Sequence, residues 1–394
     1  MPKFKYLIIG GGMTADAAVQ GIREIDSGGS IGLISMESDP PYDRPPLTKG
    51  LWKDKSLDSI WRSAAKEHAE LHLGRTVKTL DVKQKQATDD QGTVYSFEKL
   101  LLATGGEPRV LPFGGDKIIY YRTAGDYRRL RALTEKAKRF IVIGGGFIGS
   151  EIAASLAMNG KKVTLLFPGP SIGNRIYPRD LSQFLNRYYE EKGVTIAPGE
   201  TATALEERNS EIVIRTKSGR EFIADGVVAG LGIEPSIDLA KSAGLQVENG
   251  IIVDAFLQTS EPGIFAAGDV AAFHNPALDQ RLRVEHEDNA NTMGKMAGRN
   301  MAGQRERYDH LPFFYSDLFD LGYEAVGELD SRLETVADWK TENREGVVYY
   351  LSNSRVRGVL LWNTWGQVDA ARELIASHRT YQPSDLKGLL PKAG

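Results

Sequence analysis

A short apolar run, Tyr6–Ile9, leads directly into Gly10-Gly11-Gly12-Met13-Thr14-Ala15. From there to about Ile25 the apolar residues recur at helical spacing, and a Gly-Gly-Ser turn then precedes a second apolar run, Ile31–Ser35. Continuous apolar runs bounded by turn residues mark strands buried on both faces, and a helical period between two of them marks a crossover. The pattern returns at Phe140–Ile143, followed by Gly144-Gly145-Gly146-Phe147-Ile148-Gly149, a helical stretch through Met158, an Asn159-Gly160 stop and the run Val163–Phe167. Two strand–turn–helix–strand units in one chain predict an α/β protein built on two Rossmann-like domains.

Each glycine turn has a chemical reading. In G-x-G-x-x-A and G-x-G-x-x-G the leading glycines allow a tight turn and close backbone approach, and the helix that follows offers unpaired N–H groups to a pyrophosphate. Gly10, Gly11, Gly12, Met13, Thr14 and Ala15 are thus expected to hold one dinucleotide, and Gly146, Phe147, Ile148 and Gly149 a second. Gly21 is expected where the first helix packs on its sheet. An acidic residue at the end of the second strand normally receives the adenosine ribose, and Glu37 is the candidate in the first unit. In the second unit that corner reads Phe167-Pro168-Gly169-Pro170, without a carboxylate, and Arg175 follows. An arginine there suits a 2′-phosphate, so NADH and NADPH both stand as donors.

Composition narrows the chemistry. At 394 residues the chain exceeds one ordinary core. A net charge of −3 argues against a nucleic-acid partner, and the basic stretch Arg128–Arg139 reads as a solvated helix face. The cysteine count is 0, which removes disulfides, thiolate metal sites and redox-active thiols. The six histidines are scattered without ligand spacing, so no metal site is expected. Redox chemistry has to reside on a cofactor. No apolar run is long enough to span a membrane, and the chain opens straight into strand and glycine turn where a leader would lie, so a cytoplasmic location is expected.

With these motifs in place, further strings carry a resemblance. They are Pro41-Tyr42-Asp43-Arg44-Pro45-Pro46-Leu47-Thr48-Lys49, Ala103-Thr104-Gly105-Gly106, Glu151 after the second glycine turn, and Gly230-Leu231-Gly232-Ile233-Glu234-Pro235. Ile264–Asp269, Arg283-Val284-Glu285-His286, Phe314-Tyr315-Ser316-Asp317, Gly322-Tyr323-Glu324 and Leu361-Trp362-Asn363 complete the set. The chain resembles the FAD-dependent pyridine-nucleotide oxidoreductases, in the branch of ferredoxin reductases and apoptosis-inducing factors. The resemblance implies a glutathione-reductase-like architecture: an FAD domain at 1–116 and 246–309, an NAD(P) domain at 117–245, and a C-terminal α+β domain at 310–394.

The same resemblance implies the roles. Lys49 and Glu151 form an ion pair beside the flavin. Arg44, Val77, Arg122, Asp269, Glu285, His286 and Tyr315 join the FAD contacts, with Glu285 and His286 opening a helix through about Met301. Arg175, Gly232, Glu324 and Asn363 join the nicotinamide site. Relatives usually carry the ribose carboxylate where Met36 stands here, beside Glu37, and apoptosis-inducing factors usually carry tryptophan where Tyr315 stands. The implied activity is hydride transfer from NADH or NADPH to FAD, with electrons passing on to a [2Fe–2S] ferredoxin or another acceptor. The alternative is a redox sensor holding a long-lived flavin–nicotinamide charge-transfer complex. Relatives occur as monomers and dimers, and a homodimer is the expectation here.

Overall fold

A computed structural model describes residues 1–64, 67–209 and 211–390. Its α-helices are α1 (Met13–Ile25), α2 (Ala124–Lys136), α3 (Phe147–Met158), α4 (Arg179–Glu191), α5 (Asp238–Ser242), α6 (Glu287–Met301) and α7 (Val368–Ala376). Among the described residues no helix is long and apolar enough to cross a membrane. The chain divides into two compact units, one of Met1–Arg44, Ser56–Glu107 and Glu234–Pro312, the other of Pro45–Lys55, Pro108–Ile233 and the chain from Phe313 onward.

The first unit centres on a sheet in the order Ala69–Leu73, Ile31–Ser35, Lys3–Ile9, Val94–Leu102, Gln86–Asp89, Val77–Asp81, with Ile264–Ala266 also paired to Val94–Leu102. The inner strands run parallel, and Ile8 lies level with Leu33 on one side and Leu101 on the other. Every residue of Ile31–Ser35 is buried, as expected of a strand covered on both faces. Helix α1 packs on α6 at backbone distance. A Cβ at Gly21 would stand 2.0 Å from the Lys295 carbonyl oxygen, at Gly294 2.4 Å from that of Thr14, and at Gly298 2.1 Å from that of Ala18. Gly21 therefore serves the contact with α6, and the expectation that it meets the sheet is corrected. Only residues without Cβ let two helices approach so closely.

The second unit holds two larger sheets. A parallel one runs Val194–Pro198, Lys162–Phe167, Arg139–Ile143, Gly226–Ala229, Ile118–Tyr120, with Val142 level with Leu165 and Val228. An antiparallel one runs Phe313–Leu318, Leu321–Gly327, Arg355–Trp362, Glu345–Ser352, Glu334–Thr341. A three-stranded meander, Ala202–Arg208, Glu211–Thr216 and Glu221–Ala224, completes the unit. Tyr323 and Trp362 stack on the antiparallel sheet at 5.6 Å, and Tyr177 meets both rings edge-on at 5.7 Å. All three rings are buried.

Candidate active site

In the first unit the glycine turn is shaped from beneath by neighbouring backbone and left open above. Gly10 has φ +127, and a Cβ there would stand 2.0 Å from the Ala103 carbonyl oxygen, while one at Gly11 would meet the Ser35 hydroxyl at 2.2 Å. Gly12 is the N-cap of α1 and offers no side-chain cap. A Cβ at Gly12 would find only the Arg44 guanidinium, at 3.9 Å. Uncapped N–H groups, the positive end of a helix dipole and an arginine thus face one space, which suits a diphosphate. Met13, Thr14 and Ala15 form the first turn of α1, where their side chains are buried. Gly268 lies against Thr14, where a Cβ would be 2.2 Å from its hydroxyl.

Arg44 is itself held. One Glu37 oxygen accepts from its Nη2 at 2.5 Å, and the other accepts from the Tyr42 hydroxyl at 2.6 Å. Burial works against the Arg44 charge, but Tyr42, Glu37 and Asp269 outweigh it and raise the guanidinium above its ordinary pKa. Glu37, read from the sequence as a ribose ligand, is thus turned onto Arg44 and Tyr42. Met36 is exposed. The structure therefore gathers the glycine turn, Glu37, Arg44 and Asp269. Asp269 sits in the turn Gly268–Val270, and its carbonyl accepts from Arg283, which also pairs with Glu285 at 2.6 Å. Helix α6 begins at Glu287, with His286 as an N-cap whose side chain caps nothing. The expected start at Glu285 is two residues early, within the usual uncertainty of helix ends. Val77 heads its strand opposite Asp89 and packs on the core of this unit.

The second turn repeats the design. Gly144 has φ +117, and a Cβ there would stand 2.3 Å from the Gly230 carbonyl oxygen; one at Gly149 would stand 1.8 Å from that of Gly144. Gly230, directly after Ala229, thus lets three backbone segments meet. Gly146, the uncapped N-cap of α3, has nothing within 4 Å of an added Cβ. Phe147 meets Phe314 edge-on at 5.5 Å, whereas Ile148 is exposed beside the opening. Gly232 has φ +83 with open space before it. Glu324 stands opposite Tyr315 across neighbouring strands and accepts from the Gly366 N–H at 3.1 Å. Asn363 adopts φ +50, and its N–H donates to the Gly322 carbonyl at 2.7 Å. Arg122 precedes the capping box of Thr123 and Asp126 at the start of α2.

One buried charge of this unit, Glu151 on α3, gathers several partners. Lys49 Nζ lies 2.8 Å from each of its oxygens. The Thr48 hydroxyl donates to one oxygen at 2.5 Å and the Ser316 hydroxyl to the other at 2.6 Å. Glu151 is 3% exposed, so these bonds replace water rather than compete with it. The Lys49 ammonium also lies 5.1 Å from the Tyr315 ring centroid, in cation–π range. Sequence reasoning paired Lys49 with Glu151 but assigned nothing to Thr48 or Ser316. It also passed over Trp365, an exposed ring whose edge lies 2.8 Å from where a Gly322 Cβ would be.

Two glycine turns, each opening an uncapped helix beside its own parallel sheet, define a protein that binds two dinucleotides. Residues 4–294 match the family described as pyridine nucleotide-disulphide oxidoreductase, and residues 297–345 match the mitochondrion-associated C-terminal region of apoptosis-inducing factor. Apoptosis-inducing factor 1, mitochondrial, from Dictyostelium discoideum is 34% identical, covering 96% of this chain and 80% of that one. The ferredoxin–NAD(+) reductase component of the anthranilate 1,2-dioxygenase system from Burkholderia cepacia is 33% identical, covering 97% and 96%. Putidaredoxin reductase in its covalent complex with putidaredoxin superimposes with a TM-score of 0.90 at 29% identity, covering 98% of this chain and 96% of that one. The chain belongs to the pyridine nucleotide-disulphide oxidoreductase family. It is an FAD-dependent oxidoreductase that uses NAD(P)H, and with no cysteine in its sequence it performs no thiol chemistry of its own.

Proposed function

We propose that the chain is a reductase for a small iron–sulfur protein of the ferredoxin type, with NAD(P)H as electron donor. Its likeness to a ferredoxin–NAD(+) reductase component and to a reductase solved in complex with putidaredoxin supports this reading. The observation that carries it is the Lys49–Glu151 pair, buried and hydrogen-bonded on both carboxylate oxygens. When bound, FAD supplies the chemistry, accepting hydride from the nicotinamide and releasing electrons to an acceptor.

The residues hold and tune that cofactor. Gly10–Ala15 and Arg44 take the FAD diphosphate, with Glu37 orienting the arginine, and Asp269, Glu285, His286, Val77 and Arg122 serve the rest of the molecule. Lys49, fixed by Glu151 and covered by Tyr315, supplies a cation where negative charge develops on the reduced ring. The uncapped start of α6 adds partial positive charge of the same sense. Gly146–Gly149, Arg175, Gly232, Glu324 and Asn363 take the nicotinamide dinucleotide. The proposal includes the three-domain division at 1–116 with 246–309, 117–245 and 310–394, a homodimer, and a cytoplasmic location, which sedimentation and cell fractionation test.

The decisive experiment is an anaerobic titration of the yellow protein with NADH and NADPH, followed by addition of an oxidised [2Fe–2S] ferredoxin. Bleaching of the flavin and then of the ferredoxin, at rates above those of free FAD, is the expected result. A flavin that bleaches slowly and keeps a long-wavelength band, while ferredoxin stays oxidised, would overturn the reductase reading in favour of a redox sensor. Unchanged FAD content and hydride-transfer rate in Lys49→Ala would overturn the role given to Lys49.

A further inference from the structure

The corner after the strand Lys162–Phe167 lies against the second glycine turn. Its strand ends in Phe167, whose buried ring lies beneath Gly145, with ring atoms 2.8–3.2 Å from where a Cβ would be. The last side chain of the strand is therefore spent on packing the glycine turn. Pro168, Gly169 and Pro170 bring no acceptor after it. A Cβ at Gly169 would meet the Asn174 Oδ1 at 2.4 Å, so the amide of Asn174 already occupies the space from which a carboxylate at 169 would emerge. Glu200 comes alongside through its N–H, which donates to the Phe167 carbonyl at 3.0 Å. Its carboxylate is engaged, however, by the Ser218 hydroxyl at 2.7 Å and Arg220 at 3.1 Å.

The loop that follows is fastened at three points. The Gly173 N–H donates to the Gly145 carbonyl at 2.9 Å, tying the loop to the turn that receives the pyrophosphate. Ser331 holds it from the other side, its hydroxyl donating to the Asn174 carbonyl at 2.8 Å and its N–H to the Arg175 carbonyl at 2.9 Å. Between these anchors Arg175 is exposed, and among the described residues its guanidinium has neither a hydrogen-bond nor an ion-pair partner. A corner stripped of carboxylate loses the acceptor that a 2′-hydroxyl needs, and a fixed, unspent arginine provides a bidentate donor for phosphate.

We infer that this site selects the 2′-phosphate, so that NADPH rather than NADH is the preferred donor, with Arg175 as the specificity-determining residue and Ser331 as its positioning residue. The inference rests on reading this turn as the nicotinamide dinucleotide site. The test uses the oxidised, FAD-loaded protein and calorimetric titration with NADP+ and NAD+. NADP+ is expected to bind at least about tenfold more tightly, and Arg175→Ala to remove about tenfold of that preference by weakening NADP+ alone. Arg175→Lys should restore part of it, and Ser331→Ala should reduce it with NAD+ binding unchanged. NAD+ binding as tightly as NADP+, or a ratio unmoved by Arg175→Ala, overturns the inference while leaving the dinucleotide site standing. Binding of neither nucleotide overturns that site and the inference with it.

Discussion

Replacing Glu151 by glutamine is the sharpest perturbation the second unit offers, because it removes a charge and almost no volume. The carboxylate is buried and accepts from Lys49, Thr48 and Ser316. Hydroxyls can reorient toward a glutamine oxygen, so Thr48 and Ser316 retain part of their bonding. Lys49 cannot: its side chain is 13% exposed and loses the carboxylate it pairs with. Breaking a buried pair from one side costs about 3–5 kcal/mol, and the small residual exposure of Lys49 puts Glu151→Gln near the lower end, about 3 kcal/mol. Lys49→Met leaves a carboxylate still served by two hydroxyls, at about 2 kcal/mol, by the worth of hydrogen bonds to charged groups. The double variant leaves no unpaired charge and is expected to cost about 2–3 kcal/mol in all, giving a coupling of about 2–3 kcal/mol. Urea unfolding followed by tryptophan fluorescence, with FAD at one fixed saturating concentration, measures all four corners of the cycle. A coupling below about 0.5 kcal/mol would refute the view that the two charges depend on each other.

Three other outcomes follow from the same geometry. Gly146→Ala has room in the protein but fills the opening in front of α3, so NAD(P)H affinity should fall about tenfold, as when roughly one charged hydrogen bond is lost, while the thermal midpoint stays put. Gly298→Ala drives a methyl group onto the Ala18 carbonyl, and overpacking of about 1–3 kcal/mol should appear as a lower midpoint together with loss of FAD from the purified protein. Asp225 is held down to about 2 by hydrogen bonds from the Arg139 side chain and from the Lys138 and Arg139 N–H groups, against some burial. A depressed carboxyl stabilises the fold above its unfolded pKa and loses that contribution as pH falls through the native value. Asp225→Asn should therefore cost about 1–2 kcal/mol at neutral pH, discounted for partial exposure, and should flatten the acid limb of stability between about pH 4 and pH 2.

What the sequence made legible is what backbone geometry forces. Gly10 and Gly144 sit at φ values that side chains avoid, so both turns were readable from residue type, and the apolar runs around them located the parallel strands. Helix α1 ends at Ile25 and α3 at Met158, where the sequence put them. Less legible were directions that residue type does not give. Glu37 has the right spacing for a ribose ligand, and in the structure its oxygens accept from Tyr42 and Arg44. Thr48 and Ser316 are common residue types, and only the fold brings both hydroxyls to one carboxylate from positions 103 and 165 residues away in sequence. Gly21 announced a close approach without saying to what, because its partner, the Lys295 carbonyl, lies in the last part of the first unit.

That last contact also governs when the protein can come into being on the ribosome. The turn that would take up FAD is encoded in the first fifteen residues, but α1 finds its glycine-lined neighbour only with Gly294 and Gly298. The central strand Val94–Leu102 likewise waits for Ile264–Ala266. Pairings of such long sequence separation close late, and a chain of this size tends to fold piecewise as it emerges. An emerging first unit therefore carries an exposed strand edge and a bare helix face until about three-quarters of the chain has been made. Loading of the flavin is consequently a late event in synthesis, and truncations before α6 should yield colourless, aggregation-prone chains rather than a smaller flavoprotein.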